Sequence, residues 1–135
     1  MKTLILCGWL ALLVAARADW PMHRGDPQLS GRSDMPAPAE PKVAWTFNAG
    51  KPVKAAAAIA GKRVFFGDDE GIVHALDLTN GKELWTYKLP APAHTNPVTY
   101  SVGGRQYVAI VSTGGSFLAT PIESDQLTVF ALPRR

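Results

Sequence analysis

From Val43 onward, short runs of alternating apolar and polar residues are separated by turn formers, the period-two pattern of half-buried strands. The runs cover Val43 to Phe47, Lys54 to Ala60, Arg63 to Gly67, Ile72 to Asp77, the stretch through Trp85, Tyr87 and Leu89, Val98 to Val102, Gln106 to Ser112, and Gln126 to Leu132. Between them lie Gly50-Lys51-Pro52, Gly61-Lys62, Asp68-Asp69-Glu70-Gly71, Leu78-Thr79-Asn80-Gly81 and Gly103-Gly104. These breaks are short enough for antiparallel hairpins. Ala55 to Ala58 also suits a helix, but so short a segment between turn signals is marginal as an isolated helix, which favours a strand. Residues 19–42 form an irregular lead-in, where Pro21, Pro27, Pro36, Pro38 and Pro41 break up any helix or central strand.

A repeat orders these runs. Trp45-Thr46-Phe47 and Trp85-Thr86-Tyr87 end two segments 40 residues apart, about the length of one four-stranded propeller blade. The expected fold is all-β, a partial β-propeller of about two four-stranded antiparallel blades. Residues 43–89 hold a first strand plus one complete blade, and residues 90–135 hold a connector and a C-terminal blade. Rings of blades need about four or more units to close. We therefore expect the first strand, Val43 to Phe47, to complete the last blade by pairing with Leu127 to Leu132.

Residues 1–18 have the layout of a secretory signal peptide: Lys2, an apolar run from Leu4 to Val14, then Ala16-Arg17-Ala18. Cleavage before Asp19 is expected, because the run is short for a membrane span and small residues precede the cut. Cys7 lies within the apolar run after Leu6, which argues against a lipid anchor, and it is the chain's one cysteine. Removing the segment leaves 12 of the 14 basic residues against 11 acidic ones. They are scattered and give no nucleic-acid footprint. No later stretch is apolar over 18 residues, so a soluble secreted or periplasmic protein is expected.

Candidate chemistry is sparse. Asp68-Asp69-Glu70 groups three carboxylates without the alternating ligand spacing of a calcium loop, so an acidic hairpin turn is the simpler reading. His23, His74 and His94 lack ligand or triad spacing, and His74 reads as an ordinary strand position. Arg24-Gly25-Asp26 spells an adhesion tripeptide, a weak three-residue match. Gly61-Lys62 lacks the rest of a phosphate loop, and no helix follows either Gly103-Gly104 or Gly114-Gly115.

The run Ala75-Leu76-Asp77-Leu78-Thr79-Asn80-Gly81-Lys82-Glu83-Leu84-Trp85 resembles the tryptophan-docking repeat of the pyrroloquinoline-quinone (PQQ) dehydrogenase-like propellers. Ala75, Asp77, Gly81 and Trp85 match its pattern, and Asn80 stands where threonine is usual. The opening Asp19-Trp20-Pro21-Met22-His23-Arg24-Gly25-Asp26 is similar to the start of secreted members, and the ending from Asn96 to Gly115 with Gln126 to Pro133 is similar to the last blade of quinoprotein alcohol and sugar dehydrogenases. The resemblance implies a structural docking motif of Ala75, Asp77, Gly81 and Trp85, with Trp85 as a spacer between blades. For the family it implies PQQ and calcium. The family's catalytic aspartate, calcium ligands and adjacent cysteine pair have no match here, so no catalytic, cofactor-binding or metal residue is assigned.

Three functions follow from this reading. The first is a secreted fragment or subunit related to quinoprotein alcohol and sugar dehydrogenases, without a complete active site of its own. The second is a non-catalytic protein-binding propeller module of the cell envelope, similar to outer-membrane assembly lipoproteins. The third is a truncated gene product. Expected partners are other propeller chains, or copies of this one, that complete a ring.

Overall fold

The computed structural model describes residues 19–33, 35–115 and 122–133. The expected signal peptide with Cys7, and also Pro121, Arg134 and Arg135, lie outside the described residues. Among the described residues, seven strands form two antiparallel sheets and there is no helix. Sheet A takes β1 (Ala58–Ala60), β2 (Arg63–Gly67), β3 (Ile72–Asp77) and β4 (Glu83–Lys88) in sequential order. Sheet B takes β5 (Val98–Val102), β6 (Arg105–Gly114) and β7 (Glu123–Ala131).

Turn chemistry fixes the registers. Gly103 and Gly104 both have positive φ between the paired residues Val102 and Arg105, the two-residue hairpin that matches strand twist. On sheet A the pairs Phe65↔Ala75 and Gly67↔Val73 face one side, while Val64↔Leu76 and Phe66↔His74 face the other. A slip of one residue would exchange the two sides entirely.

The inner face of sheet A packs on sheet B. Phe65 and Ala75 meet Val108 and Leu132, while Val73 meets Ile110, Leu89 and Ala93; Trp85 and Phe130 pack against both groups. Each large apolar side chain fully buried here contributes about 1.5–3 kcal/mol. The connector after β4 is part of this core, since Leu89, Ala91 and Ala93 are buried. It is fixed by backbone bonds from Leu89 N–H to the Gly71 carbonyl, Ala93 N–H to the Asp68 carbonyl, and Gly114 N–H to the Pro92 carbonyl.

The first strand run departs from expectation. Val43 to Phe47 enters no ladder, and among the described residues β7 pairs only with β6. Instead Trp45, Phe47 and Ala49 lie against the outer face of sheet A, over Val64, Phe66 and Leu76. The alternation of this segment marks a buried side, but its neighbour is a sheet face and not a strand edge. The run from Lys54 is likewise shorter than expected, with β1 confined to Ala58–Ala60. Upstream of β1 the backbone is held from outside any ladder, because Ala56 N–H donates to Asn96 Oδ1 at 2.7 Å.

Candidate functional site

The turn between β3 and β4 is shaped by two of the four motif residues that the repeat singles out, Asp77 at the end of β3 and Gly81. Asp77 accepts Thr79 N–H on Oδ1 at 2.7 Å, and its carbonyl accepts Gly81 N–H at 2.9 Å. Asn80 Oδ1 accepts Lys82 N–H at 2.9 Å, so the residue standing in for threonine supplies a turn bond of its own. Gly81 has φ of +70° and lies beneath the indole of Trp45. That indole donates from Nε1 to the Leu78 carbonyl at 3.0 Å.

Ala75 is fully buried at the interface between the sheets. Trp85 stands on the same face, with ring centroids 6.2 Å from Phe65 and 5.0 Å from Phe130. The four motif residues therefore divide between two places. Gly81 and Asp77 shape a turn that receives Trp45, while Ala75 and Trp85 face sheet B.

The three neighbouring carboxylates point in three directions. Asp68 is fully buried and accepts the backbone N–H groups of Glu70 and Ile72 on Oδ1, at 3.0 and 2.8 Å. Asp69 meets Lys54 Nζ at 2.9 Å and His94 Nε2 at 2.5 Å. Glu70 reaches Lys51 at 3.4 Å. The Lys54 hydrogen bond, followed by that of His94, lowers the pKa of Asp69 below the usual carboxylate range.

His74 lies between Asp68 Oδ2, 3.4 Å from Nε2, and Glu83 Oε1, 2.9 Å from Nδ1. Its ring stacks on Phe66 and meets the edge of Phe47. This imidazole has carboxylates on both nitrogens and no hydroxyl or thiol within hydrogen-bonding distance among the described residues. It has the acid-base half of a triad without a nucleophile. Both histidine–carboxylate groups escaped the reading of the sequence, because Asp68 and His74 meet only across a hairpin, and His94 reaches Asp69 only through the path of the connector. His23 takes no part in either group.

At the far end of the sheets, a cleft of about 490 Å³ is lined by Asp19, Arg63, Tyr100, Ser101, Gln106 and Leu132, among others. Asp19 Oδ1 accepts Gly61 N–H there at 3.1 Å.

The family model described as "Glucose/ethanol/alcohol dehydrogenase, beta-propeller domain", the PQQ family, matches residues 14–108, from the end of the leader-like segment into β6. The chain belongs to this family. Among curated relatives of this PQQ-family chain, the glycerol dehydrogenase large subunit of Gluconobacter thailandicus is 34% identical over 84% of this chain and 15% of its own length. The quinoprotein glucose dehydrogenase of Escherichia coli K12 is 32% identical over 84% of this chain and 14% of its own length. The chain thus spans about one-seventh of these relatives. Among solved structures, the quinohemoprotein alcohol dehydrogenase of Comamonas testosteroni matches with a TM-score of 0.44, at 29% identity over 52% of this chain and 11% of that one.

The described residues do not form a site that fits the quinone of the family or the calcium that the resemblance implies. No group of three or more His, Cys, Asp or Glu side chains among the described residues could hold a metal ion. The buried carboxylate, Asp68, is already committed to two backbone donors. The cleft offers one guanidinium, Arg63, to a quinone that carries three carboxylates, and its own acid, Asp19, is bonded to backbone.

Proposed function

We propose that the chain is a secreted propeller segment, a fragment or subunit related to quinoprotein alcohol and sugar dehydrogenases, without a complete active site of its own. The observation that carries this reading is how its acidic and imidazole groups are used. Asp68, Asp69, His74 and His94 are all engaged in internal hydrogen bonds that hold turns and the connector. Other propeller chains, or further copies, would supply the blades that a ring requires. Export rests on the layout of residues 1–18, and N-terminal sequencing of the exported protein should begin at Asp19.

Titration of the purified protein with PQQ and calcium tests the main claim. No saturable uptake is expected from the chain alone. Saturable uptake together with dye-linked alcohol oxidation would overturn the proposal. A second reading, a non-catalytic protein-binding module of the cell envelope, is favoured by the outer face of sheet B, where Tyr100, Val102, Leu127 and Val129 are exposed. That reading falls with the same positive titration.

A further inference from the structure

Four sheet edges end the two sheets, and three of them are protected. β1 is bridged by Trp20, whose N–H and carbonyl both bond Ile59 at 2.8 Å. β5 donates Thr99 N–H to the Pro21 carbonyl at 2.7 Å. β4 carries a charge at each end, Glu83 and Lys88, which limits its uncharged run to the four residues from Leu84 to Tyr87 and discourages pairing with another chain. β7 has none of these protections from Gln126 to Ala131, a stretch without charge, proline or bulge. Among the described residues, no backbone bond reaches its outer edge.

The register identifies the groups left open. Leu132 N–H donates to the Gln106 carbonyl, and Ala131 pairs with Tyr107, so the even-numbered residues of β7 bond β6. Leu127, Val129 and Ala131 therefore turn their N–H and carbonyl groups to the open edge. The same three residues carry side chains on the outer face of sheet B, opposite Val111, Ala109 and Tyr107. Leu127 is 60% exposed and Val129 44%.

We propose that β7 pairs antiparallel with β7 of a second copy about a two-fold axis at Val129, joining two three-stranded sheets into one. Leu127 then faces Ala131 of the other copy, and each open N–H meets an open carbonyl. Charge placement selects a second copy in this orientation. Glu123 and Asp125 lie at the start of β7, so antiparallel pairing sends the two acidic ends to opposite ends of the joined strands, while a parallel pair would set them side by side. The two-fold contact is self-complementary and closes at two chains. This deepens the proposal that another chain completes this one, yet it does not depend on quinone chemistry. Failure of either claim leaves the other standing.

Val129→Pro tests the pairing, because it removes an N–H that points away from β6 and so leaves the β6–β7 ladder intact. Light scattering and sedimentation of the purified protein should give a dimer for the native chain. For Val129→Pro they should give a monomer with an unchanged far-ultraviolet spectrum, the dimer dissociation constant rising at least about tenfold. If Val129→Pro fails to fold, Val129→Lys decides the matter, since it places like charges on the two-fold axis. A native chain that is monomeric at all concentrations would overturn the proposal. So would a dimer that survives the folded Val129→Pro or Val129→Lys variant, or an assembly of three or more chains.

Discussion

The indole of Trp45 covers Gly81 so closely that a Cβ added at Gly81 would lie 2.6 Å from its Cε3 atom. The two residues are 36 positions apart, and their contact closes the outer face of sheet A. Glycine is required here twice over, since φ at Gly81 is also +70°. Gly81→Ala should therefore lower stability by about 1–3 kcal/mol, through backbone strain and displacement of the indole together. Chemical denaturation followed by tryptophan fluorescence measures both effects. A blue- or red-shifted native spectrum would accompany the loss, and an unchanged midpoint would contradict the steric argument.

At the opposite face, Trp85 fills the space between Phe65 of sheet A and Phe130 of sheet B. Truncation removes the large ring that packs against Phe65 on one sheet and Phe130 on the other. Trp85→Ala should cost about 3 kcal/mol, the low end for a large aromatic because the indole is only partly buried. Trp85→Phe should recover part of that loss. Equilibrium unfolding of the two variants against the native chain gives the order.

The connector presents a tighter constraint. A Cβ at Gly67 would lie 2.4 Å from Cβ of Ala93, and the latter is fully buried. Neither atom can yield, because Ala93 is held by its bond to the Asp68 carbonyl. Gly67→Ala should thus destabilise by about 1–3 kcal/mol, as overpacking does. Gly103→Ala serves as a control, since open space surrounds that position and only its positive φ of 56° is at stake. A larger loss at Gly103 than at Gly67 would refute the packing argument.

These contacts separate what the sequence discloses from what it withholds. Hairpins such as the one between Val102 and Arg105 are legible because a two-residue glycine turn constrains both flanking strands at once. The path of Trp45, Phe47 and Ala49 is not. Alternation states that one side of a segment is buried, and a sheet face satisfies that demand as well as a neighbouring strand does. The buried pairing of Asp68 with His74, and the contact of Asp69 with His94, depend on hairpin register and on the fold of the connector, neither of which leaves a local spacing. Ala75 and Trp85 could be picked out by their place in a repeat, but the repeat does not say which of its residues meet sheet B and which receive Trp45.

Asp69 ties the β2–β3 turn to Lys54 and, through His94, to the connector. Its pKa is lowered in the folded chain, chiefly by the Lys54 hydrogen bond and then by His94. A carboxylate with a depressed folded value binds protons more weakly than in the unfolded chain, so acid favours unfolding. The stabilisation is complete above the unfolded value of about 3.9 and is lost as pH falls through the lower folded value. Lys54 is about half exposed, which keeps the contribution below about 1 kcal/mol. Asp69→Asn should therefore weaken the protein slightly at neutral pH and flatten the acid limb of its stability curve. Urea midpoints measured from pH 2.5 to pH 6 would show the native and variant curves converging at the acid end. Curves that stay parallel across that range would exclude Asp69 as a source of the acid sensitivity.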